Sequence, residues 1–154
     1  MAPDRTAARR DVAQNRRAFH DYLVDDRLEA GLELTGTEVK SLRAGRVNLR
    51  DGFVRVAGGQ AWLENVHISP YTQGTWTNHD PMRRRRLLLH EREIARLQGQ
   101  VRQQGYTLIP LRMYFRGNWA KVELGLARGK KLYDKRQALA EREAKRQIER
   151  ALKR

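Results

Sequence analysis

The sequence contains no cysteine. Disulfides, thiolate metal sites and a cysteine nucleophile are excluded together, and a reducing compartment is the natural expectation. No apolar run of about 18 residues occurs, so no membrane-spanning helix is expected. The opening stretch MAPDRTAARRDVAQNRRAF has no apolar core of the kind a signal peptide needs, which points to a cytoplasmic protein. Acidic residues are also scarce. Eighteen Asp and Glu face 32 Lys and Arg in 154 residues, for a formal charge of +14. A small chain with that imbalance fits a polyanionic partner, such as nucleic acid or an anionic membrane. Apolar residues make up 40%, enough for the core of one domain.

Composition divides the chain into a loose leader (1–14), a folded domain (15–126) and a basic tail (127–154). The tail holds 11 Lys and Arg against 4 Asp and Glu, half the net charge of the chain. The strongest local signal is a hairpin over 107–115 and 119–126, turning at Gly117-Asn118. Alternation pairs Phe115 with Ala120, Met113 with Val122 and Leu111 with Leu124, and a one-residue slip would destroy the match. Pro110 then belongs at an unpaired position or a bulge. A second hairpin over 53–57 and 60–68 turns at Gly58-Gly59, with Arg55 opposite Trp62. Both of its faces carry apolar residues, so either can be the core. Helices are expected over 91–104, stopped by Gly105, and over 37–44. Strands near 19–24 and 86–89 complete a mainly β count, which suggests a small antiparallel β-barrel with flanking helices. In the tail, Asp134 and Gln137 have capping-box spacing, and Glu141–Lys145 and Glu149–Lys153 are favourable helical pairs. Arg142, Arg146 and Arg150 repel at the same spacing, and the Ala140, Ala144, Ile148, Leu152 stripe is thin. Such a tail is expected to be disordered when free and helical on an anionic surface.

Motifs for catalysis are missing. His90-Glu91-Arg92-Glu93 lacks the second histidine of a zinc-peptidase helix, and His20, His67, His79 and His90 make no i,i+4 ligand pair. There is no nucleophile elbow and no phosphate-binding loop. The Asp25-Asp26 side chains would point apart on a strand. Basic clusters at 9–10, 16–17, 83–86, 130–131 and 135–136 favour a nucleic-acid partner, and a barrel favours RNA over duplex DNA. His20, Tyr22, Trp62 and Trp76 are stacking candidates. A structural ribosomal protein with a basic extension and an RNA-processing enzyme stay open as alternatives on these grounds. An inserted membrane helix fits poorly, because the tail's stripe is mostly alanine.

Several stretches resemble the SmpB (SsrA-binding protein) family: Asn15-Arg16-Arg17-Ala18, His20-Asp21-Tyr22, Glu29-Ala30-Gly31, Gly36-Thr37-Glu38-Val39-Lys40-Ser41-Leu42-Arg43-Ala44-Gly45, Asp80-Pro81 with Arg86-Leu87-Leu88-Leu89, Gly129-Lys130-Lys131 and Asp134-Lys135-Arg136. The resemblance runs from about residue 14 to the C-terminus. It implies an oligonucleotide-binding-like barrel with no catalytic activity and no cofactor. It implies a monomer that binds the tRNA-like domain of transfer-messenger RNA (tmRNA) and accompanies alanyl-tmRNA with elongation factor Tu. The further partners implied are the decoding site and the empty mRNA channel of a stalled small ribosomal subunit. By the same resemblance, Asn15, Glu29 and Leu88 are RNA-contact positions, with Arg16, Arg17, Lys40, Arg43, Arg83 and Arg84 as neighbouring cations. His20 and Tyr22 match a surface pair near the decoding site. Lys130, Lys131, Asp134, Lys135 and Arg136 match tail motifs, with Arg142, Lys145, Arg146, Ile148 and Leu152 continuing the ribosome-binding helix. Two positions depart from the pattern: Phe53 stands where Tyr is expected, and Ala144 where some relatives carry Trp.

Overall fold

The computed structural model describes residues 9–71 and 78–152; in 103–104 and 130–138 the backbone alone is described. Trp76 lies outside these residues. The strands β1 (Arg9–Gln14), β8 (Thr107–Arg116), β9 (Trp119–Gly129), β2 (Tyr22–Leu32), β7 (Arg85–Leu88), β5 (Gln60–Glu64) and β4 (Phe53–Ala57) form one antiparallel sheet in that spatial order. A small ribbon pairs β3 (Val47–Asn48) with β6 (His67–Ile68). The helices are α1 (Arg16–Asp21), α2 (Gly36–Arg43), α3 (Glu91–Gln104) and α4 (Lys130–Leu152). Among the described residues the sheet curls, bringing β4 near β8, but no hydrogen-bonded ladder joins them. The barrel expected from the strand count is therefore open.

The long hairpin forms as alternation predicts near its turn, with Phe115 opposite Ala120 and Met113 opposite Val122. Further down, the expected Leu111–Leu124 pair is replaced by Pro110 opposite Leu124, with a bulge between Pro110 and Arg112. Proline has no N–H to give the ladder, and the extra residue absorbs that gap. Leu111 is turned over Gly125, where a β-carbon would meet its Cδ1 at 2.9 Å. The bulge splits the strand's apolar residues: Met113 and Phe115 stay in the main core, while Ile109 and Leu111 are buried in a separate cluster with Ala18 and Ala127.

The shorter hairpin turns through Gly58 and Gly59, with φ of 60° and 72°. Two consecutive left-handed residues make the turn whose twist suits paired strands. Its core face carries Val54, Val56, Ala61 and Leu63, while Phe53 is 43% exposed on the other side. In α3, Ile94 and Leu97 are buried, and Gly105 closes the helix in the left-handed region.

Three expectations change. Residues 9–14 were expected in a loose leader but form β1, with Arg10 opposite Phe115 and Val12 and Ala13 packed on the core. Residues 19–21 were expected in a strand but belong to α1, because Asn15 caps the helix by accepting from the Ala18 N–H at 3.2 Å. β9 runs past residue 126 to Gly129, and α4 starts at the next residue. Asp134 therefore lies inside α4 and cannot cap it. Residues 130–152 form one continuous helix. Among the described residues no helix is long and apolar enough to cross a membrane.

Candidate nucleic-acid interface

Strand alternation sorts the cations. On β7, Arg85 and Leu87 point inward and are buried, while Arg86 and Leu88 point outward and are exposed. The arginine run 83–86 therefore splits. Arg85 donates from Nε to Glu38 Oε2 at 2.5 Å and from a terminal nitrogen to the Val66 carbonyl at 2.6 Å. Arg83 donates to Glu38 Oε1 at 2.6 Å. Glu38 also accepts from the Thr35 backbone N–H and hydroxyl, at 2.9 and 3.0 Å. Burial would raise the Glu38 carboxyl, but these hydrogen bonds hold it down to about 2. Two of the four cations are thus committed to tying α2 to β7. Arg86 lies 3.9 Å from Glu33, and Arg84 lies over the Trp62 ring at 4.0 Å.

Asn15 is buried at 4% exposure. Its amide donates to the carbonyls of Leu49 at 3.1 Å and Pro110 at 3.0 Å, while its oxygen caps α1. Both donors are used, so the side chain joins α1, the β3–β4 loop and the β8 bulge. Around it, Arg16 and Arg17 are exposed, and Arg17 pairs with Asp21 at 3.1 Å. His20 is almost fully exposed beside Asp21, at 2.9 Å. The His20 and Arg17 hydrogen bonds hold the Asp21 carboxyl below its usual range. Tyr22 is half-buried against Ala18 and Ile109. Arg17, Asp21, Arg50, Asp51 and Asn65 border a polar cleft of about 520 Å³ at this end.

Glu29 faces outward from β2 and is tethered. It accepts from the Tyr114 hydroxyl in a short hydrogen bond and from Arg116 Nε at 2.8 Å. Burial works against its charge, but these two bonds and the nearby Arg116 and Lys121 leave the carboxyl below its usual range. Tyr114 is only 1% exposed, with Arg9 covering its ring at 4.1 Å. Burial and the Glu29 carboxylate push the Tyr114 hydroxyl well up. Glu29 thus holds the Tyr114 hydroxyl and the Arg116 guanidinium in place on the outward side of the sheet. Arg116 escaped the sequence reading, although the outward alternation of the hairpin places it beside Tyr114.

Leu88 is 43% exposed and leans over Gly31, where a β-carbon would sit 3.1 Å from Leu88 Cβ. Lys40 and Arg43 are exposed on α2, the first 5.3 Å from the Tyr71 ring and the second 4.7 Å from the Phe115 ring. On α4, Arg142, Lys145 and Arg146 are exposed, as are Leu139, Ile148 and Leu152 at 55, 60 and 80%. Ile148 and Leu152, four residues apart, share one face of the helix. For Lys130, Lys131, Asp134, Lys135 and Arg136 the structure places the backbone in α4. Among the described residues, no three His, Asp or Glu side chains are grouped to hold a metal ion.

The family model described as SmpB protein matches residues 12–154. The SsrA-binding protein of Roseiflexus sp. strain RS-1 is 64% identical over 94% of this chain and 92% of its own length. That of Thermobifida fusca is 61% identical over 98% and 94%, and that of Carboxydothermus hydrogenoformans 59% over 92% and 95%. A chain in the solved structure "tmRNA-SmpB: a journey to the center of the bacterial ribosome" is 54% identical, covers 77% of this chain and 83% of that one, and superposes with a TM-score of 0.65. With its sequence matched over residues 12–154 by the family model and over 94% of its length by a relative 64% identical, the chain belongs to the SmpB family.

Proposed function

We propose that this protein is a cytoplasmic, non-catalytic RNA adaptor that binds the tRNA-like domain of tmRNA and brings it to stalled ribosomes for trans-translation. The observation that carries this reading is whole-length membership of the SmpB family, joined to an outward face where cations are exposed and oriented. Domain 15–126 with β1 holds the RNA. Arg16, Arg17, Lys40, Arg43, Arg84 and Leu88 contact it, while Glu29 aims Arg116 and Asn15 and Arg83 shape the fold beneath. His20 and Tyr22 face the decoding site. The tail, 127–154, enters the empty mRNA channel as a helix through Lys130, Lys131, Lys135, Arg136, Arg142, Lys145, Arg146, Ile148 and Leu152. The protein acts as a monomer and travels with alanyl-tmRNA and elongation factor Tu.

A reconstituted translation reaction stalled on an mRNA without a stop codon tests this. Alanyl-tmRNA is expected to add its tag only when the protein is supplied. Tagging of equal yield without the protein would overturn the reading, as would its constitutive presence on non-stalled ribosomes.

A further inference from the structure

Among the described members of the arginine run, only Arg84 has no carboxylate within ion-pairing distance. Arg83 and Arg85 share Glu38, and Arg86 approaches Glu33. Arg84 is nevertheless held, because its guanidinium carbon sits 4.0 Å from the centre of the Trp62 ring. Trp62 is half-buried in β5, opposite Arg86 on one side and Arg55 on the other. Arg55 is itself drawn toward Glu64, at 4.0 Å, which leaves the tryptophan face to Arg84. The sequence suggests an Arg55–Trp62 pair from the ladder, and the ladder forms, but the cation over the ring comes from the neighbouring strand's entry. Exposed Phe53 lies on the same outward face, one ladder step along β4.

A cation–π contact at a surface contributes only about 0.5–1 kcal/mol to the fold. Its chemical effect is different. It fixes one face of a planar, permanently charged group and leaves the rest to solvent. A guanidinium restrained in that way loses little entropy when a second flat partner arrives. RNA-binding surfaces use such planes to stack unpaired bases while the cation attracts the phosphate backbone.

We propose that Arg84, backed by Trp62, is a stacking plate for an unpaired base of the bound RNA. This rests on the proposed RNA-binding function and adds a mode of contact to it: Arg84 reads a flat base, where its neighbours supply charge or structure. Lysine could replace the charge but not the plane.

Titration of labelled tRNA-like domain with the full-length protein tests the plate. Arg84→Lys is expected to lower affinity about tenfold, with the slope of log K against log salt unchanged. Trp62→Leu should lose a similar amount, the double variant should be no weaker than either, and Trp62→Phe should return to within about threefold of the wild type. That rescue separates stacking from a defect in folding, which thermal melting of each variant also monitors. Wild-type affinity in Arg84→Lys would overturn the plate, because charge alone would then suffice. So would fully additive losses in the double variant. Failure of the functional reading looks different: equal wild-type affinity for an ordinary tRNA, with Arg84→Lys weakening both RNAs about tenfold, removes the tmRNA specificity and leaves the plate standing.

Discussion

Arg85 Nε donates to Glu38 Oε2 at 2.5 Å, and neither side chain reaches solvent. The pair joins α2 to β7 from the inside of the sheet, and Arg85 also closes on the Val66 and Pro81 carbonyls. A buried pair of this kind is costly to halve. Glu38→Gln leaves a guanidinium without its counter-charge and is expected to destabilise the fold by about 3–5 kcal/mol. Chemical denaturation of the two proteins checks this.

The same carboxylate makes stability depend on acid. Its folded value is held near 2 against an ordinary 4.5. Stability from Glu38 is therefore complete above about pH 4.5 and is lost as pH falls toward 2. Denaturant midpoints measured from pH 6 to pH 2 are expected to fall steeply below 4.5 in the wild type and less steeply in Glu38→Gln.

Asn15 should act on folding before it acts on RNA. Asn15→Ala removes the α1 cap and orphans two carbonyls, an expected loss of about 2–3 kcal/mol. Asn15→Asp keeps an acceptor for the cap but cannot donate to Leu49 or Pro110, so it should be no better. At low temperature, where both variants are folded, RNA affinity is expected to stay within about twofold of the wild type.

Glu29 gives a prediction of sign. If it faced the RNA alone, removing its negative charge would strengthen binding. Here it holds Arg116 and Tyr114 in place, so Glu29→Ala is expected to weaken tRNA-like-domain binding several-fold, about the effect of one misplaced cation. Glu29→Gln, which can still accept from both, should fall between. Binding titrations at fixed salt decide it.

The tail separates from the RNA-binding face. Ala144→Pro interrupts α4 near its middle, at about 3 kcal/mol of local helix stability. Melting of the sheet and affinity for the tRNA-like domain are expected to be unchanged, while tagging on stalled ribosomes is lost. Circular dichroism and the reconstituted reaction report the two halves.

Much of this was legible residue by residue. The hairpin register near Gly117 follows from alternation alone, because a slip would carry Met113 and Val122 to the wrong face. The bulge at Leu111 follows only in part: proline signals a gap in the ladder, not where the extra residue goes. α1 was hidden because a six-residue helix with one buried side chain, Ala18, has no period to detect. The split of the arginine run was hidden for another reason. Glu38 and Arg85 stand 47 positions apart, and nothing local marks which cations a distant carboxylate will claim. The family resemblance marked Glu29 and Asn15 as positions that matter, and the structure shows which neighbours each of them holds.

The most direct test of the whole account is affinity for the isolated tRNA-like domain against an ordinary tRNA across a salt titration. Steep salt dependence alone would reflect only the charge of +14. The account predicts a strong preference for the tRNA-like domain that persists as salt rises, retained by a variant ending at Gly129 because the proposed target of the helix is the ribosome. Equal affinity for the two RNAs, lost together as salt rises, would contradict it.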